Sequence, residues 1–363
     1  MAYNRNLPYN DLPDLPPKSL HLSPELYKKL ISASRHLAEL NGLCSSIPEP
    51  QLLINTIVLQ ESKDSSAIEN IVTTQDELYK ATTEMIGASQ SAKEVLSYRE
   101  ALYKGLVSMV EHRGLLLTKS MVEIVKTIKN NDAGIRNTPG TALKNSVNGE
   151  IIYTPPCCED VIIEKLSALE KFINDDGLSE LDPLIKMALI HYQFESIHPF
   201  SDGNGRTGRI INALYLVQQE LLSMPVLYLS SFIIKNKAQY YQLLRDVTEK
   251  ENWNEWINYI LNGLIETSQT TVLKITKLLE LKEETEKNMK DAMGASYNHD
   301  LLQLMFALPY LKIEVLEKKG IAHRQTASTW LKKLAESGIL VPQKIGRTNY
   351  YINEKLIGIF SEN

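Results

Sequence analysis

The spacing of apolar residues predicts a mainly helical protein. The first helical pattern covers residues from about 23 to 61, with apolar positions at Leu26, Leu30, Leu37 and Leu40, then at Leu52, Leu53, Ile57 and Leu59. Thr74 and Glu77 have the spacing of a capping box, and Asp182-Pro183 supplies an N-cap and a first-turn proline. Further helices are predicted over 91–112, from about 118 to 130, and over 159–174, 183–195, 204–221, 236–249 and 252–284.

Two segments interrupt the helical pattern. Residues 1–20 contain four prolines and predict an extended strap over the surface. Residues 131–156 are rich in Gly, Asn and Pro. Within them, Val147 and Ile151-Ile152-Tyr153 flank Asn148-Gly149, which predicts a small hairpin with a two-residue type I′ turn.

The last 65 residues have a different pattern. Helices are predicted near 299–308 and 312–318, and a third helix, HRQTASTWLKKLAESG, ends at Gly338. Two strands, ILVPQKI and YYIN, then flank Gly346 to Asn349. Three helices followed by a hairpin indicate a winged helix-turn-helix arrangement.

Composition and charge narrow the classes of protein. The chain has 363 residues, of which 43% are hydrophobic and 23% charged, with a net charge of −5. These values are typical of a globular protein, and they argue against nucleic-acid binding by the whole chain. Residues 300–363 hold nine Lys or Arg and six Asp or Glu, which gives them a net charge of +3 and leaves −8 for the rest.

Cysteine usage and hydropathy predict a cytoplasmic protein that does not enter a membrane. The three cysteines, Cys44 and the pair Cys157-Cys158, do not form a disulfide framework, and the pair receives no function. The N-terminus has no apolar run typical of a signal peptide or anchor, and no stretch approaches 18 apolar residues.

The densest chemical signal is Ile197 to Arg209, IHPFSDGNGRTGR. Pro199 disfavours the α region for His198, so the preceding helix is expected to end near Glu195 and leave His198 in a loop. Gly203-Asn204-Gly205 permits left-handed turns at each position. Their N–H groups would then form an anion-binding nest at the start of the next helix.

The side chains of this segment suit a di- or triphosphate. Arg206 and Arg209 are three residues apart and share one face of the first helical turn. Asp202 would hold Mg²⁺ against phosphate oxygens, and His198 would serve as a base. The competing interpretation is a glycine-rich turn with surface arginines and a structural histidine. The absence of a GxxxxGK[ST] sequence disfavours a P-loop NTPase or kinase.

HPFSDGNGR, together with Arg209, resembles the Fic (Fido) motif HxFx(D/E)GNGRxxR at every position. The prolines and helices of the N-terminal region, the hairpin and the winged helix also resemble parts found with bacterial Fic proteins. The resemblance implies a Fic helical core with a hairpin flap at 106–265, preceded by an N-terminal region at 1–105. A connecting helix at 266–298 and a winged helix-turn-helix domain at 299–363 would follow.

The resemblance implies a protein adenylyltransferase that transfers AMP from ATP, with Mg²⁺, to a Tyr, Thr or Ser hydroxyl. His198 would deprotonate the hydroxyl, Asp202 would hold Mg²⁺, and Arg206 and Arg209 would neutralise pyrophosphate. Backbone or amide groups of Gly203, Asn204 and Gly205 would bind phosphate oxygens. The predicted ATP-binding set of this segment also includes Thr207 and Gly208.

A second match lies upstream, where Ser65 to Asn70 fits the inhibitory pattern [ST]xxxE[GN] of autoinhibited Fic proteins. The resemblance implies an inhibitory helix at about 62–70, in which Glu69 pairs with Arg209 and occupies the γ-phosphate site. Ser65 would anchor the helix locally. The alternative is a plain solvated helix face, because this spacing is common by chance.

The resemblance also suggests where the nucleotide base would lie. Tyr240 and Tyr241 would face the adenine, with core packing as the alternative, and Ile152 and Tyr153 of the flap would cover the nucleotide. The flap edge would pair with an extended target segment. Phe200, Trp253 and Trp256 are expected in the core, and His191 is expected to be structural.

Several alternatives stay open at this stage. The transferred group would be AMP, UMP, phosphocholine or phosphate, and Glu69 would in some relatives also serve AMP removal. The target would be another protein or the chain itself. The C-terminal module would contact DNA, or it would bind protein or form a homodimer, through Arg324, Gln325, Ser328, Thr329, Lys332, Lys344 and Arg347. The competing function is a DNA-binding regulator that only senses nucleotide.

Overall fold

The computed structural model describes residues 3–47, 50–82, 89–132, 134–138, 140–144, 148–345 and 348–361. The first half contains the helices α1 (Pro24–Ser45), α2 (Pro50–Leu53), α3 (Leu59–Ile68), α4 (Gln75–Thr82), α5 (Gln90–Glu111), α6 (Thr118–Lys129) and α7 (Glu159–Asn174). The second half contains α8 (Pro183–Ile197), α9 (Asn204–Gln218), α10 (Leu229–Lys235), α11 (Lys237–Lys250), α12 (Trp253–Met293), α13 (His299–Ala307), α14 (Ile313–Lys318), α15 (Arg324–Glu336) and α16 (Glu354–Ser361).

Helix α8 lies at the centre of the core. Thirteen of its residues are buried, including the polar His191 and Gln193, and it contacts α7, α9 and α12. Buried apolar residues on every face predict such an interior helix. The predicted core residues Phe200 and Trp256 are both inaccessible to solvent, and Trp253 is 8% exposed.

The predicted helix caps are confirmed by hydrogen bonds. The Thr74 hydroxyl accepts from the Glu77 amide at 3.1 Å, and the Glu77 carboxylate accepts from the Thr74 amide at 3.2 Å. Asp182 accepts from the Leu184 amide at 2.8 Å, with Pro183 in the first turn. These caps form because the donors at helix N-termini have no intrahelical partner.

Several helices differ from the predictions. The pattern at 23–61 belongs to two helical runs, α1 and a second run in which a π-helical segment, Ile54–Val58, joins α2 to α3. Helix α12 continues to Met293, so the predicted connecting segment is its second part. Two short helices were not predicted: α10, with seven residues, and α16, with eight.

Two small antiparallel sheets complete the fold. Strands β1 (Leu143–Lys144) and β2 (Ile151–Tyr153) form the predicted hairpin, with Lys144 opposite Ile151. The predicted two-residue turn depends on Val147, which lies outside the described residues, so it stays a prediction. The Asn148 side chain accepts from the Glu150 amide at 3.0 Å.

The C-terminal region has the predicted order of elements. After α13, α14 and α15 come strands β4 (Val341–Ile345) and β5 (Thr348–Ile352), and Gly338 has a φ of +69° at the end of α15. Strand β3 (Tyr310–Leu311) adds a third strand beside β5. The predicted domain boundaries at 105, 265 and 298 stay predictions.

The N-terminal strap crosses the surface as predicted. Leu12 is buried, the Gln193 amide donates to the Pro13 carbonyl at 2.9 Å, and Lys165 pairs with Asp14 at 3.1 Å. These contacts fix the strap against α7 and α8. Among the described residues, no helix is both long and apolar enough to cross a bilayer.

Candidate functional site

The turn between α8 and α9 holds His198. The helix ends at Ile197, two residues later than predicted, and His198 adopts a left-handed conformation with φ 49° and ψ 57°. Its amide donates to the Phe194 carbonyl at 3.0 Å, and its carbonyl accepts from Nε of Arg136 at 2.8 Å. These contacts fix a backbone conformation that non-glycine residues rarely adopt.

Only Gly203 has a left-handed conformation in the predicted nest, with φ 86°. Asn204 begins α9, and its side-chain amide closes the turn by donating to the Phe200 carbonyl at 2.8 Å and accepting from the Phe200 amide at 2.9 Å. The expectation of three left-handed residues is therefore wrong. The anion-binding feature that remains is the N-terminus of α9.

Arg209 is bound by the segment that the upstream pattern identified. Its Nη2 lies 2.9 Å from Oε1 of Glu69 and 2.9 Å from the Ser65 carbonyl, and its Nε donates to the Ser65 hydroxyl at 2.8 Å. Burial alone would lower the pKa of Arg209, but Glu69 and neighbouring groups raise it above its ordinary value. Ser65 thus binds Arg209 directly and does more than anchor its own helix.

Gly205 makes room for the Glu69 carboxylate. A Cβ at this position would lie 2.3 Å from Oε1 of Glu69 and 3.0 Å from Nη1 of Arg209. A real Cβ does not approach an oxygen this closely, so any larger residue would displace the carboxylate. The glycine of the motif and the glutamate of the upstream segment therefore fit one another.

Three contacts hold the Glu69-bearing helix in place from its other side. Glu61, one turn before Ser65, accepts from the amide of Ser230 at 3.0 Å and from its hydroxyl at 2.5 Å. Tyr98 donates to the same carboxylate at 3.2 Å. Burial raises the pKa of Glu61 to about 7.

Arg206 is also paired with a carboxylate. Its Nη1 lies 3.1 Å from Glu94 of α5, and its side chain is only 1% exposed. Both arginines of the segment therefore have acidic partners from the N-terminal region. A phosphate that used either guanidinium would compete with these carboxylates.

Asp202 lies at the open edge of the turn, where Lys129 of α6 pairs with it. Its other oxygen accepts from the Gly203 amide at 2.6 Å. Partial burial opposes ionisation, but Lys129 and the Gly203 amide lower the pKa of Asp202. Within the described ranges, no group of three or more His, Cys, Asp or Glu residues could hold a metal ion. A single carboxylate fits Mg²⁺ only where substrate phosphates supply further ligands.

Two titratable groups beside the turn are shifted toward their neutral forms. Burial, assisted by Arg136, lowers the pKa of His198 to about 4. Burial also raises the pKa of Glu195 to about 8. His198 therefore carries a neutral imidazole near pH 7, which is the form that accepts a proton.

The aromatic residues proposed for the base divide between core and surface. Tyr240 is 2% exposed and its hydroxyl lies 2.8 Å from Nε2 of the buried His191, as the core alternative predicts. Tyr241 is 43% exposed, with its ring edge-on to Tyr240 at 5.1 Å. Tyr153 donates to the Ser196 carbonyl at 2.8 Å and is buried, whereas Ile152 is partly exposed.

The remaining predicted residues lie around the same turn. Thr207 is fully buried in α9. Gly208 lets α9 approach α8, since a Cβ there would lie 2.6 Å from Oε1 of Glu195. Asn70 follows Glu69 with φ 63°, and its side chain accepts from Lys237 at 3.4 Å.

Sequence reasoning missed four residues that shape this site. Arg136, Glu94 and Lys129 contact the turn or the start of α9 from distant parts of the chain, and Glu61 fixes its own helix α3 through Ser230. None belongs to a motif. The one sequence feature that could have pointed to Arg136 is its place as a basic residue within the Gly- and Asn-rich segment 131–156.

Family comparisons agree with this geometry. Residues 119–216 match the Fic/DOC family model, residues 27–107 match the Fic/DOC family N-terminal model, and residues 281–356 match the C-terminal domain of SoFic-like protein adenylyltransferases. The chain therefore contains a Fic/DOC domain at 119–216, preceded by a Fic/DOC N-terminal region.

Named relatives match over limited lengths. The protein adenylyltransferase fic-1 of Caenorhabditis elegans is 26% identical over 37% of this chain and 27% of its own length. A probable protein adenylyltransferase of Aquifex aeolicus is 26% identical over 54% of this chain and 57% of its own. The matched regions thus span less than two thirds of these relatives.

Solved structures share the fold. The structure of a Fic family protein from Desulfovibrio desulfuricans aligns with 92% of this chain and over 97% of its own length. The TM-score is 0.59 and the sequence identity is 17%. The structure of residues 134–508 of Fic-1 from C. elegans aligns with 71% of this chain and over 74% of the Fic-1 chain. The TM-score is 0.54 and the sequence identity is 18%. At these identities the likeness concerns the fold.

Proposed function

We propose that this protein is a protein adenylyltransferase that transfers AMP from ATP to a hydroxyl side chain of a protein, and that Glu69 inhibits it. The observation that carries the proposal is the Arg209 site, where a buried guanidinium at a helix N-terminus holds a carboxylate at 2.9 Å. An anion already occupies a place suited to a phosphate. The names of the relatives support adenylyl transfer as the activity.

The proposed reaction uses a neutral His198 as general base. The imidazole takes the proton of the target hydroxyl, whose oxygen attacks the α-phosphorus of ATP. The bond between the α-phosphorus and the bridging oxygen breaks, and pyrophosphate leaves in line. Arg206 and Arg209, once released by Glu94 and Glu69, neutralise the charge on the β- and γ-phosphates.

The N-terminus of α9 would receive phosphate oxygens. Backbone amides of its first turn have no intrahelical acceptor, and Gly205 lets a ligand approach them closely. Asp202 would hold Mg²⁺, which supplies charge neutralisation to the phosphates when bound. Tyr241 and Ile152 are the partly exposed candidates for contact with the base.

Autoinhibition follows from competition for one guanidinium. The Glu69 carboxylate and the γ-phosphate both need Arg209, and like-charge repulsion disfavours both at once. ATP that binds beside Glu69 would keep its α-phosphorus out of line with the hydroxyl. The Glu69–Arg209 pair is also compatible with the reverse activity. In the removal of AMP from a modified protein, Glu69 would position the attacking water.

Labelled ATP tests the activity directly. Incubation with α-labelled ATP, a cell extract and Mg²⁺ should label protein bands, and the purified chain itself is one candidate target. A parallel reaction with γ-labelled ATP should give no labelled band that depends on the added protein, since kinases of the extract label the same bands without it. Label from the γ-position alone would indicate a kinase and overturn the proposal.

A DNA-binding regulator is the second candidate function, and the exposed face of α15 favours it. Arg324, Gln325, Thr329 and Lys332 are exposed on this helix, and Lys344 is exposed on β4. Side chains of these types read base edges and phosphates. A gel-shift assay with the DNA upstream of the coding sequence separates this candidate from a protein contact or a homodimer.

A further inference from the structure

The C-terminal module, residues 299–361, packs against the segment that carries Glu69. Strands β3 and β5 contribute Tyr310, Tyr350 and Ile352 to one apolar cluster. The same cluster contains Leu59, which is the first residue of α3, and Leu78 and Tyr79 of α4. The module therefore contacts residues on both sides of Glu69 along the chain.

Polar and aromatic contacts accompany this packing. The Tyr310 hydroxyl donates to Asp76 of α4, and the Tyr310 ring is stacked on Tyr79 with centroids 6.5 Å apart. Lys80 lies over the same ring, 5.9 Å from its centroid. Tyr310 is 5% exposed and Tyr79 is 1% exposed, so this is an interior contact. Helix α13 also contacts α2, at the start of the same helical run.

Leu59 and Glu69 lie at opposite ends of one short, rigid element. Helix α3 has ten residues, so its two ends are about 15 Å apart. Leu59 belongs to the apolar cluster that the C-terminal module completes, whereas Glu69 is bound to Arg209. A displacement of α3 that separates Glu69 from Arg209 must therefore disturb the apolar cluster, because packed interiors do not deform continuously.

We propose that the C-terminal module holds the inhibitory helix closed, so that undocking this module from α3 and α4 releases Arg209 and activates transfer. This inference rests on the proposed function, which it extends by naming the regulatory element. The two coupled positions are the Tyr310 cluster and the Glu69–Arg209 pair. The cluster contacts stabilise the closed arrangement alone, which is the condition for coupling between two sites.

Tyr310→Ala tests the proposal, with Tyr297→Phe as the matched control. Tyr297 directly follows the 3₁₀ turn Gly294–Ser296, its hydroxyl donates to Glu286 of α12 at 3.0 Å, and it is not part of the Tyr310 cluster. Tyr310→Ala should raise incorporation of α-label by at least about fivefold, the lower end of typical coupling. Tyr297→Phe should leave incorporation unchanged. An unchanged rate for Tyr310→Ala would overturn the proposal.

The same substitution in the Glu69→Gly background identifies the route. Tyr310→Ala should add nothing there, because the inhibitory carboxylate is already absent. An equal gain in both backgrounds would show that the cluster acts elsewhere, and the proposal would fail. If Tyr310→Ala lowers the melting temperature of the whole chain, Tyr310→Phe, which removes only the hydroxyl and its hydrogen bond to Asp76, takes its place.

Hydrogen exchange separates this proposal from the adenylyltransferase assignment. Amides of 62–69 should exchange faster in Tyr310→Ala than in Tyr297→Phe, whatever reaction the protein catalyses. Faster exchange together with an inactive Glu69→Gly variant would sink the proposed function and keep the mechanical coupling. Unchanged exchange of 62–69 would sink the coupling itself.

Discussion

Nη2 of Arg209 lies 2.9 Å from Oε1 of Glu69, although 140 residues separate the two positions in the chain. The arginine belongs to the turn-helix segment with His198, and the glutamate closes helix α3. The Arg209 side chain is 2% exposed and that of Glu69 is 33% exposed. The Glu69 side chain is thus partly accessible to solvent, whereas the Arg209 guanidinium is shielded as long as the pair is intact.

His198→Ala should abolish AMP transfer and leave ATP binding nearly intact. The loss of a general base typically lowers the rate about 10²–10⁴-fold. His198 contacts its surroundings through its backbone, so the turn should persist in the variant. Calorimetry with ATP and Mg²⁺ checks the affinity. A collapse of affinity together with activity would make His198 a binding residue.

The pH profile should reflect the lowered pKa of His198, about 4. A base works while it is neutral, so transfer is retained above the pKa and lost as the pH falls through it. For the Glu69→Gly variant, kcat/KM should stay level down to about pH 5, below the ordinary histidine value of about 6.5. An acid limb centred near pH 6.5, with the fold intact by circular dichroism, would contradict the assignment of this group.

Asp202→Ala should raise the Mg²⁺ concentration required for transfer, because the variant lacks the carboxylate that would ligate the ion. Lys129→Met is the matched variant: it removes the cation that pairs with Asp202 and should lower that Mg²⁺ concentration. Titrating transfer activity with Mg²⁺ gives both values. An Asp202→Ala variant with unaltered Mg²⁺ dependence would exclude this side chain as a ligand.

Arg136→Met should lower the rate of transfer with little change in ATP affinity. Arg136 donates to the carbonyls of His198 and Ile197 and to that of Pro156 after the flap, so it joins the flap to the turn. Loss of the Arg136 side chain should displace the His198 imidazole and leave the phosphate-binding groups in place. Measuring kcat and KM separately for Arg136→Met tests this role. A lower kcat with little change in KM supports positioning of His198, and a change confined to KM would refute it.

The sequence predicted what is determined locally. The capping box at Thr74, the N-cap at Asp182 and the helix ending before Gly338 all depend on residues a few positions apart, and each is confirmed. The antiparallel pairing of the predicted hairpin is confirmed, and its turn stays a prediction because Val147 lies outside the described residues.

The candidate site was predictable only where a family pattern identifies its residues. The Glu69–Arg209 pair was expected from two matches to a family pattern, and the structure places both side chains in contact. Glu94 and Arg136 reach the site from 112 and 62 residues away, and such pairings depend on tertiary packing. The left-handed conformation of His198 likewise depends on its carbonyl contact with Arg136 rather than on Pro199 alone.

The most direct test of the account compares incorporation of α-label from ATP by the wild type, Glu69→Gly and Arg209→Ala at saturating ATP. Breaking a buried ion pair is costly, so the closed state should dominate in the wild type. Glu69→Gly should raise transfer at least about tenfold, which corresponds to about 1.4 kcal/mol. Arg209→Ala should not activate, since the γ-phosphate loses the same partner. Equal rates for the wild type and Glu69→Gly would contradict autoinhibition by Glu69.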